Sequence, residues 1–126
     1  VSMRNNQLYI NDESAHYTRL DDSIVAQLDI WQRRNHAFFF EAIDNTTHAV
    51  MLKPAPPNDY NSFGPMAIPA SKYLMLGDNR DNSRDSRRIG LVHRYRITGR
   101  AHTVAFSLNY EDYYLPRPNR FLYTLN

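Results

Sequence analysis

The 126-residue sequence has no cysteine. That excludes a disulfide framework, a thiol nucleophile and Cys-ligated metal sites, and it is compatible with an extracytoplasmic setting. Lysine is nearly missing: Lys53 and Lys72 stand against thirteen arginines. No apolar run approaches the ~18 residues of a membrane span, and no signal-peptide pattern is present. Internal repeats and low-complexity tracts are absent. The net charge of +2 is too small and too dispersed to argue for a nucleic-acid partner. The five histidines, at 16, 36, 48, 93 and 102, show no i, i+3 or i+4 pairing and no accompanying carboxylate cluster. They give no basis for a zinc site, and no cofactor is implied.

What is present is a 42% apolar composition with nine Tyr and six Phe. This suits an aromatic, β-rich core in one domain, or in one domain plus part of another. Leu8-Tyr9-Ile10, between Asn5-Asn6 and Asn11-Asp12, reads as a strand with its turn. Asp22-Ser23 reads as a cap, and Ile24, Leu28 and Trp31 recur at i, i+4, i+7, which predicts a short helix over about 24–34. Trp31 and Phe38-Phe39-Phe40 are expected in the core rather than in a peptide- or lipid-facing patch. Phe38-Phe39-Phe40 and His48-Ala49-Val50-Met51-Leu52 form a predicted hairpin around a four-residue loop, Asp44-Asn45-Thr46-Thr47. Residues 53–69 carry five prolines and read as loop. Val104, Phe106 and Leu108 alternate with Thr103, Ala105 and Ser107, the signature of a half-buried strand. The tail from Tyr113 to Phe121 is aromatic and broken by Pro116 and Pro118. The fold class expected from these patterns is mainly β, with antiparallel sheets, long loops and one short helix.

The chain turns on residues 77–87, Gly-Asp-Asn-Arg-Asp-Asn-Ser-Arg-Asp-Ser-Arg. They follow the apolar tetrad Tyr73-Leu74-Met75-Leu76 and precede Ile89-Gly90-Leu91-Val92. A strand that empties abruptly into such a run presents a polar loop on a rigid scaffold. Gly77 suits a sharp turn or a close approach of another segment. An EF-hand calcium loop fails, because the third position counted from Asp78 is Arg80 and the twelfth is Ile89. Anion binding by Arg80, Arg84, Arg87 and Arg88 is opposed by the interleaved Asp78, Asp81 and Asp85. Two readings remain open on residue types alone. One is an Asp–Arg network that aims Ser83 or Ser86 into a cleft; the other is a salt-bridged surface turn without chemistry.

Residues 76–83, Leu-Gly-Asp-Asn-Arg-Asp-Asn-Ser, followed by Asp85-Ser86-Arg87, resemble the last signature box of bacterial type I signal peptidases. Ile68-Pro69 and Tyr73 before the box, and Gly90 and Gly99-Arg100-Ala101 after it, agree with the family spacing. The similarity is strong over 68–101 and weak over the rest. It implies a membrane-bound serine endopeptidase that removes signal peptides from exported pre-proteins, with a Ser nucleophile and a Lys general base. It places the chain on the extracytoplasmic side of the cytoplasmic membrane. Residues 1–67 are then a second, variable β domain, and 68–126 the return to the catalytic β domain.

Carried over residue by residue, Ser83 is the hydroxyl that orients the general-base lysine. Asp85 and Arg87 form a supporting ion pair, while Gly77, Asp78 and Asn79 brace the same cleft. The catalytic pair is expected upstream of Val1. Ser2-Met3 matches the start of the family's Ser-Met-x-Pro-Thr box, but Arg4-Asn5-Asn6 follows; Val1 matches better the Val just after the lysine box. Neither Lys53 nor Lys72 lies in a lysine box. The chain departs from the family at Arg88-Ile89, where an aromatic pair is common, and at Val92-His93, where Val-Pro is common. The competing readings are a non-catalytic β module of a degenerate homologue and a maturation peptidase of a conjugation system. Strands at Tyr73-Leu74-Met75-Leu76 and at 103–108 are expected to lack partners from upstream, and so to be disordered or to self-associate through exposed edges; the alternative is that residues 1–67 fold back and cover the edge in a compact monomer.

Overall fold

The computed structural model describes residues 1–28, 30–105, 108–109, 115–116 and 123–124. The chain is mainly antiparallel β with a few short helices, and it divides into two compact units, Val1–Arg94 and Tyr95–Asn126. Residues on both sides of position 67 lie in the first of these.

The first unit opens with a meander: β1 (Ser2–Arg4), β2 (Gln7–Ile10) and β3 (Glu13–Ser14). Asn5-Asn6 and Asn11-Asp12 make its two turns, and all four residues take positive φ, from 50° to 67°. Two left-handed residues in a two-residue loop match the twist of the flanking strands, and Asn and Asp tolerate that conformation best after Gly. Met3 lies opposite Leu8 in the ladder. With Ala15 these two form the buried centre, against which Val1, Ile10, Tyr17, Ile43, Phe63 and Leu76 pack. The outer side of β1 is also paired: Met3 and Phe63 exchange backbone hydrogen bonds at 2.9 Å, and the Met66 amide donates to the Val1 carbonyl at 2.9 Å.

The second sheet has the order β4 (His16–Arg19), β5 (Ala37–Ile43), β6 (Thr46–Leu52). Its hairpin is tighter than the sequence predicts. Ile43 pairs with Thr46, so the loop is Asp44-Asn45 alone, with Asp44 at φ 49°. Thr46 and Thr47 are β-branched and fit the pleated ladder rather than the turn. The strand period of two sets Phe39, Glu41 and Ile43 on one face of β5, opposite Val50, His48 and Thr46 of β6. Across β4, Tyr17 pairs with Glu41 and Arg19 with Phe39. Tyr17, Glu41 and His48 thus form one row across three strands.

Between β4 and β5 runs an excursion, residues 21–36. It holds α1 (Asp22–Val25) and α2 (Ile30–Arg33) in place of the single predicted helix. The cap of α1 is Asp21, whose carboxylate accepts from the Ser23 amide at 2.8 Å. Each helix is a single turn without a buried residue, so the predicted apolar stripe never forms. Trp31 is 58% exposed, contrary to the core position expected of it.

In the third sheet β7 (Lys72–Tyr73) pairs with β8 (Val92–His93). The strand expected over 73–76 is therefore shorter than predicted, and it finds its partner within the chain. One further helical turn, α3 (Ser86–Ile89), follows the polar loop. In the second unit β9 (Thr103–Val104) pairs with β12 (Tyr123–Thr124), and β10 (Leu108–Asn109) with β11 (Leu115–Pro116). The strand predicted over 103–108 is described as β9, which ends at Val104, and as β10 from Leu108. Phe106 and most of the aromatic tail lie outside the described residues.

Candidate functional site

Residues 77–87 leave the scaffold through a clasp. The Met75 amide donates to Ser86 Oγ, and the Ser86 amide to the Met75 carbonyl, both at 2.9 Å. One step inside, the Gly77 amide donates to Asp85 Oδ2 at 2.8 Å. The segment between is laid on the outer side of β6. There the Met51 amide donates to the Asp78 carbonyl at 2.9 Å, and the Arg80 amide to the Met51 carbonyl at 3.1 Å. Asp81 Oδ2 accepts from the Lys53 amide at 2.5 Å, and Asn79 Oδ1 accepts from the Asn82 amide at 3.2 Å. The loop's backbone thus joins the sheet through a single bridge at Met51, and side-chain bonds from Asp81 and Asn79 hold the residues beyond it.

Gly77 is required by space. A Cβ at this position would lie 2.1 Å from Ser83 Oγ and 2.5 Å from Ser83 Cβ. The Ser83 side chain thus rests against the bare Cα of Gly77. It is half-buried and makes no hydrogen bond among the described residues. The structure brings Gly77, Ser83 and Asp85 together, whereas Asp78 acts through its backbone on β6 with its side chain exposed, and Asn79 braces the loop from within through its bond to Asn82.

Asp85 and Arg87 form a fork: Arg87 Nε donates to Asp85 Oδ1 at 2.9 Å and Nη2 to Oδ2 at 2.6 Å. Both side chains are almost wholly buried. Asp85 also caps α3, accepting from the Arg87 amide at 3.1 Å. Burial opposes its ionisation, but the Arg87 side chain and the Gly77 and Arg87 amides outweigh it and hold the carboxyl well below the usual range. Arg87 Nη1 reaches the Tyr60 carbonyl at 2.8 Å, and the Arg88 guanidinium lies 4.4 Å from the centre of the Tyr60 ring. The proline-rich segment is thereby tied to the loop. Within that segment buried Asn61 accepts from the Asn58 amide at 2.8 Å and donates to the Pro56 carbonyl at 2.9 Å.

The sequence suggests Asp–Arg pairs inside the loop. Arg80 instead leaves the loop and enters the second sheet, where Nη2 donates to Glu41 Oε1 at 2.5 Å. Glu41 is fully buried; Tyr17 donates a short hydrogen bond to Oε2, and His48 Nε2 lies 3.1 Å from Oε1. Burial opposes the charge on Glu41, yet the bonds from Arg80 and Tyr17 prevail and lower its pKa. Burial, reinforced by the Glu41 carboxylate, pushes the Tyr17 hydroxyl up to about 12. Sequence reasoning missed Glu41 and Tyr17. The one hint was a lone carboxylate inside Phe-Phe-Phe-Glu-Ala-Ile, and because apolar residues fill both faces of that run the strand period does not single it out.

Among the described residues no serine hydroxyl is hydrogen-bonded to a lysine or histidine, and no three His, Cys, Asp or Glu side chains gather as a metal site. Ser2 is buried in β1, opposite Tyr9. No helix among the described residues is long and apolar enough to cross a membrane. What the arrangement offers chemically is a rigid loop that presents one hydroxyl, supported by two buried ion pairs.

A family model described as signal peptidase, peptidase S26, matches residues 1–106. The chain is 31% identical over 106 residues to a signal peptidase I of Bacillus amyloliquefaciens, covering 79% of this chain and 56% of that protein. It is 30% identical over 110 residues to signal peptidase I S of Bacillus subtilis (strain 168), covering 86% and 47%. A shorter match of 45 residues is 53% identical to a signal peptidase I of Leptolyngbya laminosa, covering 36% and 22%. The chain spans about half the length, or less, of these relatives. No solved structure matches.

Proposed function

The chain belongs to the signal peptidase family, peptidase S26, and from that membership we propose that it is part of a type I signal peptidase, a membrane-bound serine endopeptidase that removes signal peptides from exported pre-proteins on the extracytoplasmic side of the cytoplasmic membrane. The observation that carries this reading is Ser83, a hydroxyl lodged on Gly77, partly accessible and without a hydrogen-bond partner among the described residues, on a loop fixed at both ends. Residues 1–67 belong to the enzyme's second β domain and 68–126 to the return into its catalytic domain.

In this enzyme the nucleophilic Ser and the general-base Lys come from boxes outside this chain. The amine must be neutral to act, so it must be desolvated to fall from its usual ~10.4. It takes the serine proton as the oxygen attacks the scissile carbonyl, and delivers it to the leaving amine. Water then hydrolyses the acyl-enzyme by the same proton transfers. Ser83 positions the lysine nitrogen through a hydrogen bond that adds no charge. The Asp85–Arg87 fork, the bridge of Asp78 and Arg80 to Met51 of β6, and the Asn79–Asn82 bond hold Ser83 in place.

The test is pre-protein processing by the full-length enzyme. Ser83→Ala is expected to lower kcat about 10- to 100-fold, or about 1.4–2.7 kcal/mol of transition-state stabilisation, with KM changed less than threefold. An unchanged kcat would remove Ser83 from the mechanism. The 126-residue chain alone is expected to give no turnover. A full-length enzyme that cleaves nothing is a degenerate homologue, and one that cleaves only a conjugation-system precursor is the related maturation peptidase.

A further inference from the structure

We propose that Glu41 is a positioning residue for this site: fixed on the central strand of its sheet, it holds Arg80 and, through Arg80, the loop that carries Ser83. Its catalytic consequence rests on the peptidase reading above; its structural part does not.

Glu41 shares its face with Phe39, Val50 and Leu52 and is fully buried there, where a carboxylate is costly unless fully paired. Hydrophobic residues in place of such a pair often match or exceed its stability. What the charge adds is direction. Tyr17 and His48, the cross-strand neighbours of Glu41, hold both carboxylate oxygens. The Tyr17 hydroxyl in turn accepts a long hydrogen bond, 3.4 Å, from the Leu8 amide of the first sheet. The acceptor for Arg80 is thus set by two sheets before the loop arrives.

Arg80 is held at both ends, by Met51 at its amide and by Glu41 at its guanidinium. Its Nε and Nη1 are buried without a partner among the described residues. The one other group there that acts on the guanidinium is the Tyr17 hydroxyl, which is itself bonded to Glu41. Asp81, bonded to the Lys53 amide, carries the constraint one residue closer to Ser83.

The experiment is a mutant cycle in the full-length enzyme. Glu41→Gln keeps the shape and removes the charge; kcat is expected to fall about tenfold, with KM changed less than threefold. In a Ser83→Ala background the same change is expected to cost less than twofold more, because both act on one element. Effects that multiply in full would make Glu41 merely structural and overturn the proposal. Amide exchange gives a readout independent of activity: the Arg80 and Met51 amides are expected to exchange at least tenfold faster in Glu41→Gln, with Met3 and Phe63 unchanged. Should Glu41→Gln fail to fold, the pair Glu41→Leu/Arg80→Met leaves no unpaired charge and is expected to fold with the same loss of protection at Met51 and the same fall in kcat. Protection and kcat retained in that pair overturn the proposal. If the unmodified enzyme cleaves nothing, the peptidase reading fails and the exchange result alone decides the role of Glu41.

Discussion

Residues 77–87 and 21–36 are both irregular insertions of the first unit, and they invert the usual rule of composition. The first is almost entirely polar, yet Arg80, Asp85 and Ser86 are buried. The second offers Ile24, Ile30 and Trp31, and leaves all three exposed. The difference lies in who satisfies the backbone and the charges. The polar loop bridges to β6 at Met51 and sends each buried charge to a prepared partner. The excursion builds two isolated turns, and neither buries a residue. Burial here follows anchoring rather than hydrophobicity.

The contrast is broken most severely at the Asp85–Arg87 fork. Arg87→Ala leaves a buried carboxylate unpaired and frees the Tyr60 carbonyl, and is expected to cost about 3–5 kcal/mol, read from urea midpoints. A loss below about 1 kcal/mol would class the fork with exposed surface pairs. The pH dependence has a definite sign. The folded-state pKa of Asp85 is depressed, so its contribution is fully present above the unfolded value of ~3.9 and is lost as pH falls below it. Asp85→Asn should flatten that acid limb; an unaltered limb would exclude Asp85 as its source.

A smaller effect is expected at Gly77. Gly77→Ala drives a methyl into Ser83 and should cost about 1–3 kcal/mol. Ser83→Gly in the same chain should recover most of it, whereas additive losses would show that the two residues do not touch in solution. The smallest effect belongs to the excursion: Trp31→Ala should change stability by less than about 0.5 kcal/mol. A drop above 1 kcal/mol would mean that the excursion is packed after all.

Much of this was legible in the chain. The i, i+2 spacing of Asp85 and Arg87 foretells their pairing, and the Asn-Asn and Asn-Asp dipeptides foretell the turns of the meander. The hairpin strands follow from β-branched and aromatic runs, although Thr46 and Thr47 belong to the strand rather than the loop. Glu41 was not legible, because its role depends on the register of three strands and on an arginine 39 positions away. Trp31 misleads for a related reason: its helical spacing is real over too few residues to make a face.

One consequence of the docking of residues 78–81 on β6 lies outside catalysis. Met51 and Lys53 spend their outward-facing backbone groups on the loop, so the loop serves as the cover of that sheet's margin. A variant that releases the loop uncovers a ready template for strand addition by another chain. Soluble yield and activity should then decline together across loop variants, and a simple measurement of the soluble fraction after expression would sort them before any substrate is added.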